Sequence, residues 1–84
     1  FYPNPVRATG YIRFDAEEAG YCGIRLHDVT GRLIKTTAEK QIDPGEITLT
    51  VDLSDMCDGI YFCRLLMNGR PVSTIRVLKT GSSD

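Results

Sequence analysis

Short strand-like segments, separated by turn residues about every 8–12 positions, constrain the fold of this chain more than any other feature. The clearest segment is Ile47–Leu53, in which every second residue is apolar. Further strands are predicted at Thr9–Asp15, Cys22–His27, Arg32–Thr37, Ile60–Met67 and Pro71–Leu78. Because successive side chains of a strand point to opposite faces, such alternation indicates half-buried strands. The sequence therefore predicts an all-β fold, an immunoglobulin-like antiparallel β-sandwich of about seven strands.

Three turns separate these predicted strands. Asn68-Gly69 is the strongest signal, because this dipeptide favours the hairpin turn in which both central residues have positive φ. Asp28–Gly31 also predicts a β-turn, in which the aspartate accepts turn amides and the glycine takes the positive φ. Asp43–Gly45 is also predicted to be a turn, because the proline presets φ and the glycine adopts the left-handed conformation at the corner. Leu53–Gly59 is predicted to be a crossover loop.

The length and charge of the chain limit the functions that it can have. Its 84 residues suffice for one small domain, expected at residues 1–80, with residues 81–84 as a disordered tail or cloning remnant. The net charge of −1 shows no excess of basic residues of the kind that binds nucleic acid or an anionic membrane. The longest apolar run, Ile60–Cys63, is too short for membrane insertion. We expect the chain to be a fragment of a longer protein.

The three cysteines, Cys22, Cys57 and Cys63, leave at least one thiol unpaired in a monomer. Their spacing matches no zinc motif. Cys57 and Cys63 could approach each other where a loop joins a strand, or Cys22 and Cys63 could lie on facing sheets. The favoured interpretation is that the thiols are buried and act as small hydrophobic residues.

The sequence offers no convincing catalytic, metal or cofactor site. His27 is the only histidine, and the alternation places it on an outer face, where a solvated strand histidine is the favoured interpretation. No phosphate-binding glycine loop, metalloprotease helix or nucleophile elbow occurs. Asp52, Asp55 and Asp58 share a loop, but their spacing does not match a calcium loop, and turn capping explains them better. We therefore predict a protein that is not an enzyme.

The segment Gly59–Leu65 predicts both a core strand and a contact surface. The expected inward residues are Tyr61, Cys63 and Leu65. At the start of this strand the Tyr61 hydroxyl can bond back across the preceding corner, as in the tyrosine corner of immunoglobulin-like sandwiches. An apolar pair flanking a charge on the outer face often marks a contact surface. The possible association patch, which could support a homodimer, consists of Phe62, Arg64 and Leu66.

Four motifs occur in fixed order along the chain: Tyr2-Pro3-Asn4-Pro5, Asp28-x-x-Gly31-Arg32, Gly59–Leu65 and Val77-Leu78-Lys79. Together they resemble the type A C-terminal sorting domain of proteins exported by the bacterial type IX secretion system. The cysteines and the residues after Lys79 are not part of the family pattern. The residues that the resemblance implies as the recognised sorting motif are Val77, Leu78, Lys79, Gly59, Tyr61, Asp28, Gly31 and Arg32.

The resemblance implies a non-catalytic sorting signal that directs a cargo protein through the type IX secretion translocon. The protein would cross the periplasm to the cell surface or the medium, with its parent cargo domain N-terminal to this fragment. A sortase-like processing machinery would then cleave the domain or use it for surface attachment. Lys79 and the last strand would be recognised, since an exposed final strand offers main-chain pairing and one charge for register. The alternative is an immunoglobulin-like accessory or scaffolding module of an extracellular enzyme or of a flagellar hook-cap-like protein.

Overall fold

The computed structural model describes residues 7–37 and 39–80, which form seven β-strands. They are β1 (Thr9–Ala16), β2 (Gly20–Asp28), β3 (Leu33–Thr36), β4 (Lys40–Ile42), β5 (Gly45–Asp52), β6 (Gly59–Met67) and β7 (Arg70–Lys79). Within these ranges there is no helix, and so none that could cross a membrane. All the strand pairs are antiparallel, and the predicted all-β sandwich of about seven strands is confirmed.

The strands form two sheets that enclose one core. β1 and β5 make a two-stranded sheet, whereas the larger sheet has the order β3-β2-β6-β7, with the short β4 also paired to β2. The chain crosses between the sheets after β1, between β4 and β5, and again in the loop that joins β5 to β6. The last of these crossings is the predicted crossover loop between Leu53 and Gly59. This topology brings the start of β6 close to the end of β7, which matters for the site described below.

The core consists of the inward residues of both sheets. From the two-stranded sheet come Ile12, Leu49 and Val51, and from the larger sheet Ile24, Leu26, Cys63, Leu65 and Val77. Alternate residues such as Thr48 and Thr50 are exposed, as the period of two predicts. Each fully buried aliphatic side chain contributes about 1.5–3 kcal/mol relative to exposure, so this alternation is the main source of stability.

The β6–β7 hairpin closes through the predicted Asn68-Gly69 turn. Asn68 has φ 52° and Gly69 has φ 79°, the two positive values that a two-residue hairpin turn requires. Asn68 also ties the turn to β2: its Oδ1 accepts a hydrogen bond from the Tyr21 amide at 3.0 Å, and its own amide donates to the Tyr21 carbonyl at 2.7 Å. The turn therefore fixes the hairpin and its position on the neighbouring strand.

Strand β4 was not predicted from the sequence. It contains only three residues, of which Ile42 alone is buried, and three residues show too little alternation to identify a strand. It pairs with the first residues of β2, before the chain bends at Asp43 and Pro44 and enters the other sheet. The Tyr2-Pro3-Asn4-Pro5 motif and the predicted tail, residues 81–84, lie outside the described residues.

We predict that Gly69→Ala lowers the free energy of unfolding by about 1 kcal/mol, because a Cβ makes positive φ unfavourable. No atom would meet that Cβ, so the cost comes from backbone conformation and not from a clash. Urea unfolding measures the change. Ser73→Ala, an exposed substitution in the same hairpin, should leave stability within about 0.5 kcal/mol. Equal stability of the Gly69→Ala variant and the wild type would contradict the assigned turn.

Candidate recognition surface

Motif residues that are distant in the sequence meet at one end of the larger sheet. In the pairing of β2 with β6, Asp28 lies opposite Tyr61. In the pairing of β6 with β7, Tyr61 lies opposite Val77, and Gly59 lies opposite Lys79. The turn between β2 and β3 closes the same end of the sheet. The described residues of the sorting motif thus form one cluster, which we call the motif end.

Asp28 organises the turn at the motif end. Its Oδ1 accepts hydrogen bonds from the Thr30 hydroxyl at 2.6 Å, the Thr30 amide at 2.9 Å and the Arg32 amide at 3.0 Å. Gly31 takes φ 90° and donates its amide to the Asp28 carbonyl at 3.0 Å, as predicted for this turn. The hydrogen bond from the Thr30 hydroxyl is the largest of the effects that lower the pKa of Asp28. The Arg32 side chain remains largely exposed, with its Nε 3.3 Å from Asp28 Oδ2.

Tyr61 forms the predicted tyrosine corner. Its ring is buried, and its hydroxyl donates a 2.7 Å hydrogen bond to the carbonyl of Cys57, four residues earlier in the crossover loop. Burial is the main cause that raises the pKa of Tyr61, so the hydroxyl keeps its proton and its role as donor. The bond holds the end of the crossover loop against the first residues of β6.

The Lys79 side chain is buried, which contradicts the expectation of an exposed terminal charge. Its exposed fraction is 0%, and its Nζ lies 3.7 Å from Asp58 Oδ1. Among the described residues, no hydrogen-bond acceptor contacts this Nζ. The reason is register: Lys79 pairs with Gly59 and, like Val77, points into the sandwich. The recognised element therefore cannot include a solvent-exposed ammonium at Lys79 while the chain is folded.

The motif end does expose apolar residues. Leu78 is 40% exposed and lies opposite Ile60, which is 39% exposed. Val29, in the adjacent turn, is 66% exposed. The outer surface of this end thus carries exposed apolar residues beside the exposed Arg32, whereas its inner surface is filled by the residues that hold the strands together.

The expected association patch is only partly exposed. Arg64 is exposed and Phe62 half-buried, but Leu66 is buried, and its assignment to an outer contact surface is wrong. Leu66 lies opposite Gly23, which has no side chain. Thr37 and Glu39 cover this gap, since a Cβ at Gly23 would lie 3.5 Å from Glu39 Cγ and 3.8 Å from the Thr37 carbonyl oxygen. Leu66, Thr37 and Glu39 line the same small depression.

Arg25 was not among the predicted site residues, although the structure places it directly beside Arg64. The two residues lie opposite each other on β2 and β6, and both are exposed. The alternation did place Arg25 on an outer face. It could not show which strands pair, because three strands separate β2 from β6 in the sequence.

None of the three cysteines is in a disulfide. Cys22 and Cys63 do not lie on facing sheets, as one interpretation had them, but on adjacent strands of the same sheet. Cys63 lies opposite Leu26, four residues along β2 from Cys22, or about 13 Å away, which is too far for a disulfide. Burial raises the pKa of both thiols, that of Cys63 to about 12, so both behave as small hydrophobic residues. Cys57 is exposed, in contrast to the favoured interpretation.

The acids of the crossover loop form hydrogen bonds and ion pairs with other residues of the chain. Asp52 Oδ1 accepts hydrogen bonds from the Ser54 amide at 3.0 Å and the Ser54 hydroxyl at 2.7 Å, and the latter is the largest effect lowering the pKa of Asp52. Asp55 pairs with Lys35 at 2.9 Å, and Lys35 also donates to the Asp52 carbonyl at 2.7 Å. Residues 7–37 and 39–80 contain no group of three side chains able to hold a metal. His27 is half-buried opposite Phe62 on the outer face.

Fold and motif end together define a small antiparallel β-sandwich module. The chain belongs to the secretion system C-terminal sorting domain family, whose model matches residues 1–79. The resemblance inferred from the four motifs is thereby confirmed. Neither a curated protein nor a solved structure matches the chain.

Family membership defines the cellular route of this protein. It is exported across the outer membrane by the type IX secretion system, to the cell surface or the medium. Sorting domains of this family interact with the secretion machinery and follow a cargo domain on their N-terminal side. The family is in general non-catalytic.

We predict that Tyr61→Phe lowers the free energy of unfolding by about 1 kcal/mol, since it removes the hydrogen bond to Cys57 and leaves that carbonyl without its donor. Thermal or urea unfolding measures the loss. Tyr21→Phe is the matched control, because Tyr21 is 50% exposed and its substitution should change stability by less than about 0.5 kcal/mol. Similar effects of the two substitutions would mean that the corner bond is not stabilising.

Proposed function

We propose that the folded sandwich is the sorting signal and that the type IX translocon recognises its surface at the motif end. After export, a sortase-like machinery would remove the domain from the cargo or use it to attach the cargo to the cell surface. The family match over residues 1–79 is the observation that carries this proposal. The domain itself acts as an address and catalyses no reaction.

The geometry of the motif end supports a division between residues that the machinery can contact and residues that stabilise the fold. Val77, Lys79 and Tyr61 are buried, so a folded domain cannot present them to a receptor. Ile60 and Leu78 are paired across β6 and β7 and exposed on the outer face. We infer that this exposed pair contacts the machinery. The buried residues beneath it hold the pair in position.

A fusion of a reporter protein to the N-terminal side of residues 1–84, expressed in a bacterium with a type IX system, tests the proposal. The fusion should reach the surface or the medium, whereas the reporter alone should stay in the periplasm. Ile60→Ser should reduce delivery severalfold with the domain still folded. Val72→Ser is the matched control, since Val72 is 58% exposed near the opposite end of the β6–β7 hairpin. Delivery of the reporter without the domain would refute the sorting role.

We predict that Lys79→Met leaves the domain folded and exported. The methionine keeps an apolar side chain in the buried site and removes an ammonium that has no hydrogen-bond partner in the described ranges and only a 3.7 Å ion pair with Asp58, so stability should stay equal or rise. Asp58 is 52% exposed and can be solvated once the lysine is absent. Lys79→Glu would be less informative, because it buries a second acid next to Asp58 and confounds misfolding with lost recognition.

Fractionation of cells that export the fusion, together with a melting curve of the purified domain, measures both effects of Lys79→Met. A variant that is as stable as the wild type but trapped in the periplasm would show that the Lys79 charge is itself read. Recognition would then require the end of β7 to open, contrary to the proposal that the folded surface is the signal.

A further inference from the structure

The outer face of the larger sheet carries excess positive charge. Three exposed arginines point outward from β2, β6 and β7 together with the half-buried His27; they are Arg25, Arg64 and Arg76. Two acids flank these arginines: Asp28 lines a depression with Arg64, and Glu39 lines another with Arg25. Asp28 is occupied by its own turn, and Glu39 covers Gly23. The middle of the face, which we call the arginine face, is therefore basic in a protein of net charge −1.

Arg25 and Arg64 form a like-charge pair at the centre of the arginine face. They are directly opposite in the β2–β6 register, an arrangement that destabilises a sheet. Neither guanidinium forms an ion pair with any residue in the described ranges. Arg64 also belongs to the Gly59–Leu65 motif, whose buried members have clear roles in the fold, whereas Arg64 has none. The two like charges therefore face each other without a carboxylate partner in the described ranges.

A depression of about 520 Å³ is lined by Arg64 of this pair. Its lining combines the Phe62 ring with side chains that can donate hydrogen bonds, namely His27, Arg64 and Thr74, and the Asp28–Gly31 turn forms one rim. A guanidinium binds a carboxylate through two parallel hydrogen bonds. Exposed arginines around an aromatic ring are typical of the centres of protein interfaces.

We propose that the arginine face binds an acidic segment of a protein of the export machinery, with Arg25 and Arg64 pairing to its carboxylates and Phe62 packing against its apolar side chains. This inference rests on the proposed sorting function and specifies a second contact on the same outer face, next to the Ile60 and Leu78 pair. Charge complementarity selects the occupant, because two adjacent guanidiniums without an ion-pair partner in the described ranges attract carboxylates. The apolar Phe62 favours a polypeptide over a purely anionic glycan.

The substitution Arg64→Glu separates recognition from folding. It turns the like-charge pair into an opposite-charge pair with Arg25, so the melting temperature of the purified domain should rise. Delivery of the reporter fusion to the surface should fall severalfold in the same variant, because the acid repels the carboxylates of the partner. Arg13→Glu is the matched control, because it makes the same charge change at an exposed position of the two-stranded sheet. A fusion with this substitution should be delivered as well as the wild type. Arg64→Lys should retain most of the delivery.

Normal delivery of Arg64→Glu would overturn the inference, and the proposed sorting function would stand provided that the reporter without the domain stays in the periplasm. If Arg64→Glu lowers the melting temperature, the reverse pair, Arg25→Glu with Arg64 retained, provides the same test. Binding of the wild-type domain, but not of Arg64→Glu, to vesicles that contain lipopolysaccharide would identify a glycolipid as the occupant. A dimer in sedimentation that is lost in Arg64→Glu would identify a second copy. Either result would overturn the inference.

Discussion

The pairing of β6 with both β2 and β7 is the interaction on which the other features depend. It places Tyr61 between Asp28 and Val77, and it brings Lys79 opposite Gly59. It also sets the inward residues of β6 against the core while the outward residues form the arginine face. A strand with two partners and two differently used faces can thus support the fold and the recognition surface at once.

Most of the described motif residues of this chain help to build the fold. Asp28 and Gly31 make a turn, Tyr61 fixes a loop to a strand, and Val77 and Lys79 are buried. Under the proposed function, a sorting signal made of such residues would be recognised as a folded surface and not as a linear peptide. Misfolding and loss of the signal are then linked, because changes to the motif residues alter the surface that the machinery contacts.

Alternation and turn chemistry in the sequence were enough to predict the fold class, six of the seven strands and the tyrosine corner. They could not predict what covers a side chain. Leu66 has the sequence position of an outer residue, yet it is buried, because Gly23 opposite leaves space that a loop fills. Lys79 was expected to be exposed as a terminal charge, although its register with Gly59 turns it inward. The pairing of Arg25 with Arg64 depends on the order of strands, which local patterns do not encode.

Amine labelling of the folded domain tests most directly whether the end of β7 is buried. The chain has three lysines, of which Lys40 is exposed, Lys35 is half-buried in an ion pair and Lys79 is buried. Brief treatment with an acylating reagent, followed by peptide mass spectrometry, should modify Lys40 rapidly and leave Lys79 unmodified until urea unfolds the chain. Modification of Lys79 as fast as Lys40 in the folded protein would contradict a buried motif end. It would favour a signal in which the lysine itself is presented to the machinery.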